Sequence, residues 1–222
     1  MEKVLIKIAE KIEKDPSVEV FKDMYNFCRE VIKTDVPLAV RYLIYLSDVL
    51  DKAIPSGKFD DIVELYSLHK KVWLVAAPHH FESFLLYIES MREPEKKFYP
   101  PRRKVLKQVV DALQELADDK LDLLAISLPP GSGKTTLAIF YLTWLAGKYA
   151  DEPMLTGSHS NSFVRGVYDE CLRILDPQGE YLWNDVFPTV SVSGTNAKDC
   201  RIDLGKRKRF ETLEFTSNLT CL

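Results

Sequence analysis

The stretch LDLLAISLPPGSGKTTLAIFYLTWLAGKYA, residues 121–150, decides how the second half of this chain is expected to fold. Residues 121–128 are almost continuously apolar, which is typical of a strand buried on both faces of a parallel sheet. A turn rich in proline and glycine follows, and the apolar run after it predicts a helix that begins near Lys134. A further short strand is predicted within residues 153–160. This order of strand, loop, helix and strand predicts an α/β domain with a parallel sheet.

The loop in this stretch, LPPGSGKTT at 128–136, ends in the residue order of a phosphate-binding loop. Leu128 stands where the pattern G-x-x-x-x-G-K-[ST] has glycine. Glycines in the loop let successive N–H groups face one anion, and the positive end of the following helix adds to the attraction. Lys134 would reach the β- and γ-phosphates of ATP, and the Thr135 hydroxyl would hold Mg²⁺. The residues predicted to bind ATP are Pro130, Gly131, Ser132, Gly133, Lys134, Thr135 and Thr136, with Lys134 also acting in catalysis. The alternative is a chance G-S-G-K-T turn, against which the strand and helix on either side argue.

A magnesium-holding acid is expected at the end of a later apolar strand. After residue 136 only RIDL, with Asp203, and TLEF, with Glu214, place an acid in a strand-like setting. Neither acid follows a run of apolar residues. We therefore expect the acid to lie beyond Leu222, so that residues 121–222 form a P-loop ATPase core cut off before its Walker B strand.

The rest of the chain divides into two regions ahead of this core. Residues 1–93 show amphipathic helical periodicity with breaks, which predicts a helical subdomain. Residues 94–120 begin as a linker rich in proline and charge and continue as a lead-in helix. The predicted fold class is therefore α/β, an incomplete P-loop NTPase parallel sheet preceded by an all-helical N-terminal subdomain.

Composition excludes several classes of protein. With 46% hydrophobic and 28% charged residues, the chain does not have the composition of a disordered protein. No apolar run approaches the length of a membrane span, so we expect no membrane association. The four cysteines are scattered, which favours reduced thiols in a cytoplasm over disulfides or a zinc site. The net charge of −3 means that any DNA contact must come from a local basic patch.

One such patch is GKRKR at 205–209, between two predicted strands. Lys206, Arg207, Lys208 and Arg209 could contact the phosphate backbone of DNA, or they could form a solvated hairpin tip, and the sequence leaves both open. His159 follows a predicted strand beside the loop, at the edge where ligands gather in open α/β sheets. His159 could therefore belong to a ligand site, or it could simply be a residue of the turn.

Five segments, in this order along the chain, resemble those of a known protein family. They are FYPPRRKVLKQVVDAL, LAISLPPGSGKTTLAIFYLTWLAGK, SHSNSF, EYLWNDVFP and TNAKDCRIDLGKRKRFETLEF. Over about residues 98–215 they resemble the ATPase half of the large terminase, the DNA-packaging motor of tailed phages. Several members of that family have a P-P-x-x-G-K-[ST] loop that lacks the leading glycine, as this chain does at Leu128.

The resemblance implies an ATP-dependent motor that translocates viral DNA into capsids. It implies phosphate and magnesium roles for Gly131, Gly133, Lys134 and Thr135, and it implies that Tyr99 and Arg102 flank the adenine. The implied partners are double-stranded DNA, the small terminase subunit, the portal and further copies of the motor, in the cytoplasm of a bacterial host. For residues 1–93 it suggests a docking module for the small subunit or for neighbouring motor subunits.

The sequence also departs from that family. Many terminases carry an arginine inside the loop, where this chain has Pro130, Gly131 and Ser132. No counterpart of the nuclease domain is present in the sequence. Two other classes of function therefore stay open: a P-loop nucleotide or small-molecule kinase, and a non-enzymatic fragment that acts only as a binding module.

Overall fold

A computed structural model describes residues 1–56, 62–206 and 209–217 of the chain. The protein has a mixed α/β structure and divides into two compact units, Met1–Tyr87 and Ile88–Leu222. The division falls at the end of the fifth helix, just ahead of the proline-rich segment that the sequence marks as a linker.

The first unit consists of helices, as its periodicity predicts. The helices are α1 (Glu2–Lys14), α2 (Val18–Val31), α3 (Val36–Ala53), α4 (Ile62–Ala76) and α5 (Phe81–Ile88), with a 3₁₀ turn at Ile54–Ser56. Side-chain caps fix two of the starts. The Ser17 hydroxyl accepts a hydrogen bond from the Val20 N–H, and the Asp35 carboxylate accepts one from the Leu38 N–H at 3.0 Å. The apolar faces of α1 to α4 meet in one core, whose members include Leu5, Phe21, Met24, Leu43, Leu46 and Val72.

The second unit contains the remaining elements. Two 3₁₀ turns, Pro94–Lys96 and Pro100–Arg102, lead into α6 (Arg103–Ala117). The elements that follow are α7 (Lys134–Lys148), β1 (Met154–Gly157), α8 (Asn161–Leu175), α9 (Trp183–Val186), β2 (Val192–Asn196), β3 (Arg201–Leu204) and β4 (Leu213–Thr216). Trp183 is fully buried, and its indole N–H donates to the Thr143 carbonyl of α7 at 3.0 Å, which ties α9 to α7.

The four strands form one sheet in the order β1-β4-β3-β2. Only β1 and β4 run parallel, with Leu155 opposite Glu214, while β3 runs antiparallel to both of its neighbours. The expectation of a parallel sheet is therefore wrong for this part of the fold, and the sheet is mixed. Short connections between β2, β3 and β4 reverse the chain direction, whereas a parallel pair needs a longer crossover such as the one between β1 and β4.

Residues 121–128 also differ from the prediction. They contain no strand, and Leu123 is 84% exposed and Ile126 39% exposed, so this run is not a strand buried on both faces. A strand forms only where another strand supplies partners for its N–H and C=O groups. Within the described ranges β1 pairs with β4 alone, and no strand reaches residues 121–128.

Candidate nucleotide site

The loop of residues 130–136, called here the 130–136 loop, has the backbone that its glycines predict. Gly131 has φ +78° and Gly133 has φ +92°, both in the left-handed region that side chains other than glycine rarely adopt. Helix α7 begins at the next residue, Lys134, as the sequence predicts. Its first hydrogen bond runs from the Leu137 N–H to the Gly133 carbonyl at 2.9 Å. The N–H groups of residues 134–136 therefore have no acceptor within the helix, which suits an anion.

The side chains of the loop add further polar groups. The Lys134 ammonium donates to the Leu128 carbonyl, so the side chain folds back across the loop. The Ser132 hydroxyl oxygen is buried and has no hydrogen-bond partner in the part of the chain that the structure describes. Thr135 is exposed and Thr136 is half-buried.

The loop fits a phosphate group. A Cβ built on Gly131 would meet no atom within 4 Å, so the space in front of this backbone is open. The donors that the loop carries are the Ser132 hydroxyl, the N–H groups at the start of α7 and the Lys134 ammonium. For Mg²⁺ the loop offers one ligand, the Thr135 hydroxyl. Among residues 1–56, 62–206 and 209–217, no group of three or more His, Cys, Asp or Glu side chains is placed to hold a metal ion.

An aromatic side chain that is not among the predicted site residues touches the loop. The ring of Phe98 lies so close to Gly133 that a Cβ on that glycine would fall 2.4 Å from ring atom Cε2. The same ring stacks on Phe140 of α7 with 5.8 Å between centroids. A glycine directly before a predicted helix and an aromatic residue in the preceding linker were both visible in the sequence. Their contact was not, because it joins residues 35 positions apart (133 − 98).

The two residues expected to flank the adenine lie in different environments. The Tyr99 side chain is fully buried. Arg102 is exposed, its guanidinium lies 5.2 Å from the centroid of the Phe98 ring, and it donates to the Phe98 carbonyl at 3.0 Å. Of the expected pair, Arg102 is therefore the residue whose side chain is on the surface near the loop.

A cavity of about 670 Å³ adjoins the loop. Lys134 and Thr135 contribute to its wall, and most of the remaining wall is apolar, including Ile126, Leu142 and Leu155. Its volume lies in the range of about 300–1,000 Å³ that is usual for ligand sites. Tyr141 also lines it, and burial raises the pKa of Tyr141 to about 12, so the phenol stays protonated at neutral pH.

Neither candidate acid lines this cavity. Asp203 on β3 is buried and accepts a hydrogen bond from the Thr212 hydroxyl at 3.4 Å. Glu214 on β4 forms an ion pair with Arg201, the residue opposite it on β3, at 2.8 Å. Both carboxylates therefore already have partners within the sheet.

His159 follows β1 and precedes α8, which is the position expected for it. Its ring stacks on Phe163 with 6.2 Å between centroids, and its Nδ1 lies 3.4 Å from the Ser158 hydroxyl. It is exposed and is not among the residues that line the cavity beside the loop. These contacts are those of a residue in the turn.

The basic segment begins at a turn between β3 and β4. Gly205 has φ +68°, and Lys206 next to it is exposed. The Arg209 guanidinium lies 5.4 Å from the centroid of the Phe210 ring, which is 61% exposed. Arg207 and Lys208 lie outside the described residues. The two described cations, Lys206 and Arg209, are thus on the surface.

No helix in the described ranges combines the length and the apolar character needed to cross a membrane. A comparison of this sequence with known protein families, with curated proteins and with solved structures gave no significant match.

Proposed function

We propose that the chain binds ATP with Mg²⁺ through the 130–136 loop, and that its second unit is the ATP-binding part of a P-loop NTPase fold. The observation that supports this most is the pair of left-handed glycines, Gly131 and Gly133, directly before the first turn of α7. A turn of this kind can direct successive N–H groups at one anion, and the positive end of the following helix adds to the attraction.

The polar groups of the loop have distinct roles in this proposal. The N–H groups at the start of α7 bind phosphate oxygens, and the Ser132 hydroxyl donates to the same group. Lys134 exchanges the Leu128 carbonyl for the β- and γ-phosphates, where its charge also favours the transition state. Thr135 holds Mg²⁺ through its hydroxyl, and the ion neutralises phosphate charge when it is bound. Arg102 lies on the surface beside Phe98, where it can meet the base.

We further propose that this ATP site serves a DNA-packaging motor of the large-terminase kind. Support comes from the ordered blocks of sequence between residues 98 and 215. In that setting the partners are double-stranded DNA, the small terminase subunit, the portal and further copies of the chain, and the place of action is the bacterial host cytoplasm. Lys206 and Arg209 are exposed cations that suit contact with DNA phosphates.

The test of ATP binding is a comparison of Lys134→Ala with the parent chain by isothermal titration with ATP and Mg²⁺. Loss of a hydrogen bond to a charged group costs about 1.5–3 kcal/mol, so the dissociation constant should rise at least about tenfold. Lys104→Ala removes an exposed lysine from α6 and is the matched control, for which no change is expected. Equal affinity of Lys134→Ala and the parent would refute the proposal.

A further inference from the structure

Glu89 is a carboxylate with no exposed surface at all. Its Oε1 accepts a hydrogen bond from the Phe98 N–H at 2.8 Å, and its Oε2 accepts one from the Tyr99 N–H at 2.9 Å. The Arg92 guanidinium forms an ion pair with Oε1 at 3.0 Å. One side chain thus binds two successive backbone N–H groups of the segment that leads into α6.

The surroundings of this carboxylate keep it fixed. A buried charge is costly unless it is paired and hydrogen-bonded, and Glu89 has both kinds of partner. Arg92 is held in turn, because it donates to the Tyr181 hydroxyl at 3.0 Å and lies 4.4 Å from the centroid of that ring. Burial raises the pKa of Tyr181 to about 12, so its hydroxyl remains protonated at neutral pH. The backbone at residues 98–99 is therefore anchored at a defined place.

That anchored backbone carries the ring that touches the 130–136 loop. The Phe98 ring leaves no room for a Cβ on Gly133, since the nearest ring atoms would lie 2.4 and 2.8 Å from it. It also stacks on Phe140, which follows Gly133 by two turns of α7. A shift of the Phe98 backbone would consequently move the ring that contacts Gly133.

We propose that Glu89 is a positioning residue of the nucleotide site, which acts through Phe98 to hold the 130–136 loop in its phosphate-binding conformation. This inference rests on the proposed ATP binding. Glu89 fixes the backbone of residues 98 and 99, the Phe98 ring contacts Gly133, and the loop then presents its N–H groups at the start of α7 without rearrangement. Such supporting residues decide affinity because a site held about 1 Å from its productive geometry loses much of its binding.

The experiment measures ATP affinity for Glu89→Gln by isothermal titration at a temperature where circular dichroism shows the variant folded. A glutamine keeps the size of the side chain, but either orientation of its amide turns an NH₂ group toward a backbone N–H that needs an acceptor. We expect the dissociation constant to rise about tenfold. Glu93→Gln makes the same change at an exposed position of the same segment and should bind ATP as the parent does.

Phe98→Leu separates positioning from general stability, because it removes the ring and leaves both backbone bonds to Glu89 in place. It should also weaken ATP binding about tenfold, and the double variant Glu89→Gln/Phe98→Leu should bind no more weakly than Phe98→Leu alone. A role in stability alone would lower the unfolding midpoint of Glu89→Gln and leave the affinity of the folded protein unchanged, which would overturn the inference.

The outcomes keep this inference apart from the proposed function. If the parent binds ATP and Lys134→Ala loses binding while Glu89→Gln and Phe98→Leu bind normally, ATP binding stands and the positioning role is refuted. If the parent does not bind ATP, both fail. Should Glu89→Gln not fold, Phe98→Leu decides alone, and parent-like affinity in that variant would overturn the inference.

Discussion

Gly131 and Gly133 offer a matched pair of substitutions that tests the backbone of the 130–136 loop. Both have a left-handed φ, +78° and +92°, so an alanine at either position meets the same kind of backbone strain. They differ in their surroundings. A Cβ at residue 131 would meet nothing within 4 Å, whereas one at residue 133 would overlap the Phe98 ring at 2.4 Å.

The expected losses of stability follow from these two facts. Placing a side chain in the left-handed region costs about 1–2 kcal/mol, and both variants incur this cost. Forcing an extra methyl group into a packed site costs about a further 1–3 kcal/mol, and only Gly133→Ala incurs it. We therefore expect Gly131→Ala to lower the free energy of unfolding by about 1–2 kcal/mol and Gly133→Ala by about 2–5 kcal/mol.

The assay is urea unfolding followed by tryptophan fluorescence. The three tryptophans are Trp73 in the first unit and Trp144 and Trp183 in the second. With Trp73→Phe in every protein, the emission reports on the second unit, where both remaining indoles are fully buried. Trp144 lies in α7, the helix that begins directly after Gly133.

A second background, Phe98→Ala, tests the cause of the difference. If the Phe98 ring is responsible, the penalty of Gly133→Ala measured in Phe98→Ala protein should fall to that of Gly131→Ala. Equal penalties for the two glycine variants in the parent background would refute the reasoning, because they would mean that the ring does not restrict residue 133.

Three further predictions concern reactivity, DNA and turnover. Burial raises the pKa of Cys28 to about 12, so at pH 8 it is a neutral thiol, and iodoacetamide followed by peptide mass spectrometry should label it only after unfolding. If Lys206 and Arg209 contact DNA phosphates, replacing both with alanine should reduce the salt slope of duplex binding by up to about one unit for each contact, and an unchanged slope would assign them to solvent. Phosphate release with Mg²⁺ and duplex DNA should stay far below about one per second, because Glu214 is held by Arg201 and the loop lacks an arginine. Faster turnover that Glu214→Gln abolishes would contradict this.

Most of the secondary structure could be predicted because its signals are local. Helical periodicity predicts the helical first unit, and the lead-in helix expected within residues 94–120 is found as α6. The same holds for the turn at Gly131 and Gly133 and for the start of α7 at Lys134, since glycine spacing and a following apolar run act within a few residues. Residues 121–128 are the exception, because an apolar run indicates only that a segment favours burial. Whether the segment becomes a strand depends on a neighbouring strand that can pair with it.

The sequence by itself determined the positions of the helices, the left-handed turns at Gly131 and Gly133, and the chemical groups that the 130–136 loop presents. The tertiary structure decided which residues surround that loop. It placed Phe98 rather than Tyr99 against Gly133, paired Glu214 with Arg201, and buried Glu89 under the backbone of residues 98–99. The physical reason is the separation along the chain over which each interaction acts. Backbone conformation responds to residues a few positions away, whereas strand pairing and the partners of a buried charge depend on segments that meet only after the chain has folded.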